Sequence, residues 1–239
     1  MGEQPYALRA EGIGKYFGQL EALKAASLWA EPGRVTTLLG RNGSGKTTLM
    51  RVAAGVLRAD RGVVSFLGRA SERPSLHRMA RLGLMYLPQT QPLVPGFRVR
   101  DHFRAVASAF GSGGAADAIQ ECRVGSLMDL RVADLSPGER VRTSLALAFA
   151  RSPRVLIADE PLVGLAPTDQ EFFGHLLRRL AAQGTAVVTS GHDARVLLEI
   201  SDVIIWSVAG TTHYLGSPNQ ALAHAQFRRE YLGPTFQAD

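Results

Sequence analysis

The 239-residue sequence predicts an α/β fold, and three stretches carry that prediction. VLIAD at 155–159 and TAVVTS at 185–190 are short, continuous apolar runs of the kind that form strands buried on both faces of a parallel sheet. Between them EFFGHLLRRLAAQ reads as a helix, so strand, helix and strand alternate. Upstream, VTTLL at 35–39 is a third such run. It passes through a glycine-rich loop, GRNGSGKT, into the helical stretch KTTLMRVAAGVL.

Taken in order, the chain opens with strand candidates in YALRAEGIGKYFG, EALKAASLWA and RVTTLLG, separated by glycines and an EPG turn. RGVVSFLG and LGLMYLPQ read as further strands. From about Thr90 to Arg151 the character changes to helical segments around a weak linker, GSGGAAD, consistent with an inserted helical piece. The clearest helix is 137–151, where Val141, Leu145, Ala148 and Phe149 make one apolar face. Its start is written locally: Ser136 can cap, Pro137 suits the first helical position, and Glu139 can reach back to complete a capping box. Ser152-Pro153 ends it. There are no internal repeats.

Composition narrows the function classes. With 46% hydrophobic and 20% charged residues the chain reads as an ordinary soluble globular protein. No stretch reaches the roughly 18 apolar residues needed to span a bilayer, and MGEQPYALRAEG lacks a secretory apolar core, so a cytoplasmic location is expected. The single cysteine, Cys122, has no disulfide partner and no metal-ligand pattern around it. The formal charge of +6 comes from scattered arginines rather than a cluster, so nucleic-acid binding is not expected. Only Lys15, Lys24 and Lys46 of the 27 basic residues are lysines, so a lysine inside a motif is hard to obtain by accident.

One of those lysines sits in such a motif. GRNGSGKT at 40–47 fits G-x-x-x-x-G-K-[ST] between a strand and a helix. The residues Gly40, Asn42, Gly43, Ser44 and Gly45 would turn backbone N–H groups toward phosphate oxygens, with the positive end of a helix dipole behind them. Lys46 would neutralise the terminal phosphates, Thr47 would ligate Mg²⁺, and Thr48 follows in the first turn. Asp159 and Glu160 close the strand VLIAD at the carboxyl edge of the sheet, where ligands collect. There Asp159 can hold Mg²⁺ and Glu160 can orient and deprotonate a water. Gln89, after the strand in LPQT, could sense the metal or the water, and His192, after TAVVTS, could hydrogen-bond a γ-phosphate.

In that order these motifs resemble the ATP-binding cassette (ABC) ATPases, the nucleotide-binding subunits of ABC transporters. GRNGSGKTT stands at the phosphate loop, LPQ at the Q-loop, LSPGE at the signature, VLIADE at the acidic pair and SGH at the switch histidine. KYFGQLEALKAASL, DEPLVGLAP and FRREYLGPTF look like the cassettes of branched-chain amino acid importers and lipopolysaccharide exporters. The resemblance implies a RecA-like P-loop core with an antiparallel β subdomain, from 1–89 and 152–239, and an inserted helical subdomain at 90–151, together one ABC ATPase domain.

It also implies ATP and Mg²⁺ as ligands, with Thr47, Gln89 and Asp159 at the metal and Glu160, His192 and Gln89 in catalysis. An aromatic residue, Phe17 with Tyr16 as fallback, would stack on the adenine. Two subunits would dimerise head to tail, so that Ser136 and Gly138 of one chain meet the phosphate held by the other. Transmembrane permease subunits are the implied partners, holding the chain on the inner face of the membrane. Three features depart from the pattern: Pro137 and Glu139 replace Gly and Gln in the usual LSGGQ, Ala166 replaces an acidic residue before Pro167, and the helical insertion is short.

Three function classes then separate. The leading one is the ATPase subunit of a membrane transporter. A soluble ABC-type ATPase acting on nucleic acid or ribosomes would usually carry a coiled-coil insertion or two cassettes in one chain, and neither is present. An unrelated P-loop kinase would lack the ordered set of signature, acidic pair and switch histidine.

Overall fold

The computed structural model describes residues 6–90, 93–111, 114–192 and 194–233. The chain starts with two long antiparallel strands, β1 (Leu8–Phe17) and β2 (Leu20–Ala30), followed by β3 (Val35–Leu39) and helix α1 (Lys46–Ala53). Next come β4 (Arg61–Phe66), β5 (Arg69–Ser71), α2 (Leu76–Arg81) and β6 (Leu84–Leu87). A helical stretch then holds α3 (Val99–Phe110), α4 (Ala115–Glu121) and α5 (Pro137–Arg151). The rest alternates: β7 (Val155–Ala158), α6 (Pro167–Ala182), β8 (Ala186–Gly191), α7 (Ala194–Ile200), β9 (Val203–Val208), β10 (Thr211–Gly216) and α8 (Pro218–Ala223).

Two sheets result. One has four antiparallel strands in the order β2-β1-β4-β5, and the other has six in the order β10-β9-β3-β8-β7-β6. Within the second, β3 runs parallel to β8 and β9, and β7 runs parallel to β6 and β8; only β10 is antiparallel, to β9. The predicted α/β class therefore stands, and the continuous apolar runs are its cause. Successive side chains of a strand point to opposite faces. Val155 and Ile157 enter one core with Leu49 and Met50 of α1 and Leu8, Ile13 and Leu28 of the antiparallel sheet. Leu156 and Ala158 enter the other, with Leu145 of α5 and Phe173 and Leu177 of α6. A strand buried on both sides has no polar positions to spare.

Local signals fixed α5 closely. It begins at Pro137 and ends at Arg151, and all four of its predicted core residues are buried. The capping box is formed: the Ser136 amide donates to the Glu139 carboxylate at 2.8 Å, and the Glu139 amide donates to the Ser136 hydroxyl oxygen at 3.3 Å. That hydrogen bond from the Ser136 amide holds the Glu139 carboxyl below its ordinary range.

Other boundaries differ from the sequence reading. The linker GSGGAAD gives its Ala115, Ala116 and Asp117 to α4, and Ser112 and Gly113 lie outside the described residues. The helix read from 171 begins four residues earlier, because Pro167 supplies a ready-made first position. In the first helix, regular structure stops at Ala53 rather than Leu57, ahead of Gly55 at φ 71°. The short β5 and α2 had no distinct pattern in the sequence. FRREYLGPTF is described only through Gly233; its Pro234, Thr235 and Phe236 lie outside the described residues. Among the described residues no helix is long and apolar enough to cross a membrane.

Cys122 is fully buried between α4 and the second core, and burial pushes its thiol up to about 12. An exposed thiol is already partly ionised near pH 8. Folded protein at that pH should leave a thiol reagent unreacted and release one equivalent only on unfolding. Rapid reaction of the native protein would show that Cys122 reaches solvent.

Candidate functional site

The carboxyl ends of β3, β6, β7 and β8 bring most of the predicted residues together. β3 ends at Leu39, and the loop from Gly40 turns back over the sheet into α1. Gly40 is needed for close approach: a Cβ there would sit 2.3 Å from the carbonyl oxygen of Ser207 in β9. Gly45 has φ 103°, a conformation side-chain-bearing residues rarely adopt, and its Cβ would meet Leu23 at 2.7 Å. These contacts press the loop onto both sheets at the amino end of α1, where no acidic residue occupies the first turn.

Lys46 is 4% exposed, and its ammonium donates to the carbonyls of Gly40 at 2.8 Å and Arg41 at 3.3 Å. It also pairs with the Glu160 carboxylate at 3.3 Å. The opposite side of Glu160 receives a hydrogen bond from the Gln89 side-chain amide at 3.0 Å. Glu160 has φ 47°, unusual for a residue with a side chain, and its amide is tied to the Ser190 hydroxyl oxygen at 3.0 Å. The neighbouring Asp159 is 1% exposed. It accepts from Ser190 at 2.9 Å, Thr47 at 3.2 Å and, at the long distance of 3.5 Å, Tyr86.

The electrostatics follow from this packing. Burial raises the Asp159 carboxyl above its ordinary range, the Glu160 charge adds to the shift, and the Ser190 and Thr47 hydroxyls and the Lys46 ammonium oppose it. Burial also pushes Tyr86 up to about 12, with the Asp159 charge adding to the effect, so the phenol stays a donor.

Lys46, Gln89 and Glu160 border a cleft of about 600 Å³ lined also by Phe17, Asn42 to Thr48 and the Ala209-Gly210 turn, among others. Its features suit a phosphorylated ligand. The Ser44 hydroxyl oxygen is buried without a hydrogen-bond partner, and Gly43 and Gly45, with φ 78° and 103°, line the space. At the floor, the Thr47 hydroxyl and the Asp159 carboxylate offer adjacent oxygen ligands of the kind a hard divalent cation prefers. Among the described residues no cluster of three or more His, Cys, Asp or Glu that could hold a metal ion is found.

At the cleft's outer end Phe17 is 49% exposed with the Lys15 ammonium 5.6 Å from its ring centroid. Tyr16 turns elsewhere: its hydroxyl bonds Glu21 and its amide donates to Asp60 at 2.7 Å.

Gly40 and Asp159 are buried and do not line the cleft, and three further predicted residues lie outside it. Ser136 is exposed at the start of α5, and Gly138 is buried there, where an added Cβ would sit 3.2 Å from an Asp169 carboxylate oxygen. His192 is exposed one residue past β8, at a small depression shared with Leu162, Gly164 and Gln170. Reading by motif also missed two groups: Tyr86, which sits below Asp159, and Arg41, whose guanidinium donates to the Glu230 carbonyl at 2.8 Å. Tyr86 was signalled only by being a polar-tipped residue in an otherwise apolar strand.

A family model described as ABC transporter matches residues 23–163. The lipopolysaccharide export system ATP-binding protein LptB of Acidithiobacillus ferridurans is 31% identical over 96% of this chain and 98% of its own. The ADP conformation of MJ1267, an ATP-binding cassette of an ABC transporter, superposes with TM-score 0.84 at 24% identity, covering 95% of this chain and 99% of that one. The dimeric post-hydrolysis state of the cassette MJ0796, bound to ADP and Pi, superposes with TM-score 0.77 at 20% identity over 87% of this chain and 98% of that one. Both structural likenesses bear on the fold.

The placement of the two aromatics gives a test. Phe17→Ala should weaken nucleotide binding by about 1 to 3 kcal/mol, the contribution of one base on one aromatic face. Tyr16→Ala should change it much less. Isothermal titration would settle the order, and a larger loss at Tyr16 would move the platform back by one residue.

Proposed function

The chain belongs to the ABC transporter family as an ATP-binding, ATP-hydrolysing subunit, and from that premise we propose how its own residues divide the work. The observation that carries the reading is the convergence of Lys46, Gln89 and Glu160 at one cleft, with Asp159 bonded to Thr47 beneath it, while Ser136 is exposed at the start of α5 outside that cleft. A site assembled from both needs two chains.

In this reading the loop amides from Asn42 to Thr48 hold the phosphates and Lys46 shifts its charge from the loop carbonyls to the terminal phosphate. Thr47 and Asp159 would hold Mg²⁺, with Gln89 at its edge, and the ion would offset charge on the phosphate oxygens. Glu160 orients a water in line with the terminal phosphate and accepts its proton. His192 hydrogen-bonds the γ-phosphate from the far side once the chains close. Residues 90–151 form the lobe that carries Ser136 and Gly138 to the partner's nucleotide, and 1–89 with 152–239 form the catalytic lobe. The MJ0796 dimer in a post-hydrolysis state supports the paired arrangement. Closure and opening of the pair would move transmembrane permease subunits, which would hold the chain on the inner face of the membrane. Relatedness to a transporter ATPase along nearly the whole chain speaks for this over action on nucleic acid or ribosomes.

Pro137 fits this role. It occupies the first position of α5, where an N–H would have no intrahelical partner. Ser136 already accepts from the Glu139 amide and can still give its hydroxyl hydrogen to a phosphate. The proline therefore orders the helix start and leaves the other donors in place.

Two outcomes follow. Glu160→Gln should keep ATP binding but nearly stop hydrolysis, and should shift the ATP-bound chain to twice its mass on size exclusion; near-normal turnover would remove Glu160 as the base. Pro137→Gly should leave turnover within a few-fold of wild type, whereas Ser136→Arg should abolish it. A gain of orders of magnitude in Pro137→Gly would instead mark the natural signature as crippled.

A further inference from the structure

The segment after α8 folds back against the outer wall of the site. Phe227 is fully buried and meets Trp206 of β9 edge-on, with ring centroids 5.7 Å apart. Tyr231 stacks on Phe227 at 5.2 Å with the planes inclined by 23°. Between them the chain makes one wide helical turn, Arg228–Leu232, and the Gly233 amide reaches back five residues to the Arg228 carbonyl at 2.9 Å. This turn is held to the phosphate loop by the Arg41 guanidinium on the Glu230 carbonyl. From the adjacent residue, the Tyr231 hydroxyl donates to the backbone carbonyl of His192 at 2.9 Å.

The ladder between β8 and β3 runs only as far as Gly191, paired with Leu39, so His192 stands one residue beyond it. Its carbonyl belongs to a peptide unit beyond the last paired residue of that ladder. The Tyr231 hydroxyl grips that unit, and the ring behind it is fixed by stacking on a buried phenylalanine.

We propose that Tyr231 is a positioning residue for His192: by fixing the His192 carbonyl it sets the direction in which the imidazole is presented to the terminal phosphate. The inference rests on the reading of His192 given above. The turn that carries Tyr231 is anchored by Arg41, so the presentation of His192 is referred to the phosphate loop itself.

Tyr231→Phe keeps the stacked ring and removes one hydrogen bond. It should lower kcat about fivefold, with KM for ATP unchanged and the melting temperature within about 4 °C of wild type. Placed in a His192→Ala background, the same change should cost nothing further, because its effect passes through a side chain that is gone. Wild-type turnover in Tyr231→Phe would overturn the inference, as would an equal fold-loss in both backgrounds, while His192→Ala remained impaired. Wild-type turnover in His192→Ala would remove the underlying reading of the histidine, and the role of Tyr231 with it.

Discussion

The buried carboxylate of Asp159 is the point on which the site depends. It closes β7 and collects a hydroxyl from β8 through Ser190, one from α1 through Thr47 and a distant one from β6 through Tyr86. Withdrawing a carboxylate from water is unfavourable, and its raised proton affinity registers that cost. Hydroxyl donors offset part of it, and each reaches Asp159 only if its own element is in register. The arrangement therefore makes the depth of α1 and the alignment of three strands answerable to one group. Ser190 extends the coupling, because the oxygen that accepts the Glu160 amide belongs to the hydroxyl that donates to Asp159.

Beneath this group the parallel sheet separates two apolar cores, one shared with the antiparallel sheet and α1, the other with α5 and α6. Alternating side chains of the same strands fill both, so a shift of β7 by one residue would exchange Val155 and Ile157 with Leu156 and Ala158. Register is thus fixed from both sides, and the polar groups at the strand ends inherit that precision.

Much of this was legible because it is written locally. The glycine-rich loop, the apolar strand runs and the capping box at Ser136 each draw their structure from residues within a few positions, and each appeared where the sequence placed it. The motif already prefers Phe17 to Tyr16, but the partners of the tyrosine, Glu21 and Asp60, were not legible, the latter lying 44 residues away. The same limit hid the tie between Arg41 and Glu230, 189 residues apart, and the tie between Tyr231 and His192, 39 apart. Neither involves a charge pair or a periodic pattern, because in both the acceptor is a backbone carbonyl, which every residue carries. The start of α4 inside a glycine-rich stretch was obscured for a related reason: packing of Ala118 against the second core outweighs the weak local preference.

Trp206 gives the architecture an optical consequence. The chain has two tryptophans. Trp29 lies among Tyr6 and Tyr214, on the strands β2 and β10. Trp206 is buried on β9, beside the strand that feeds the phosphate loop, with the rings of His213, His224 and Phe227 around it. Indole emission is sensitive to nearby imidazoles and to the entry of water, so light emitted from this position reports on the fit between the central strands and the C-terminal turn. Replacing Trp29 by phenylalanine would leave a protein with a single tryptophan, selectively excitable at wavelengths tyrosine does not absorb, at the junction of its fold and its site.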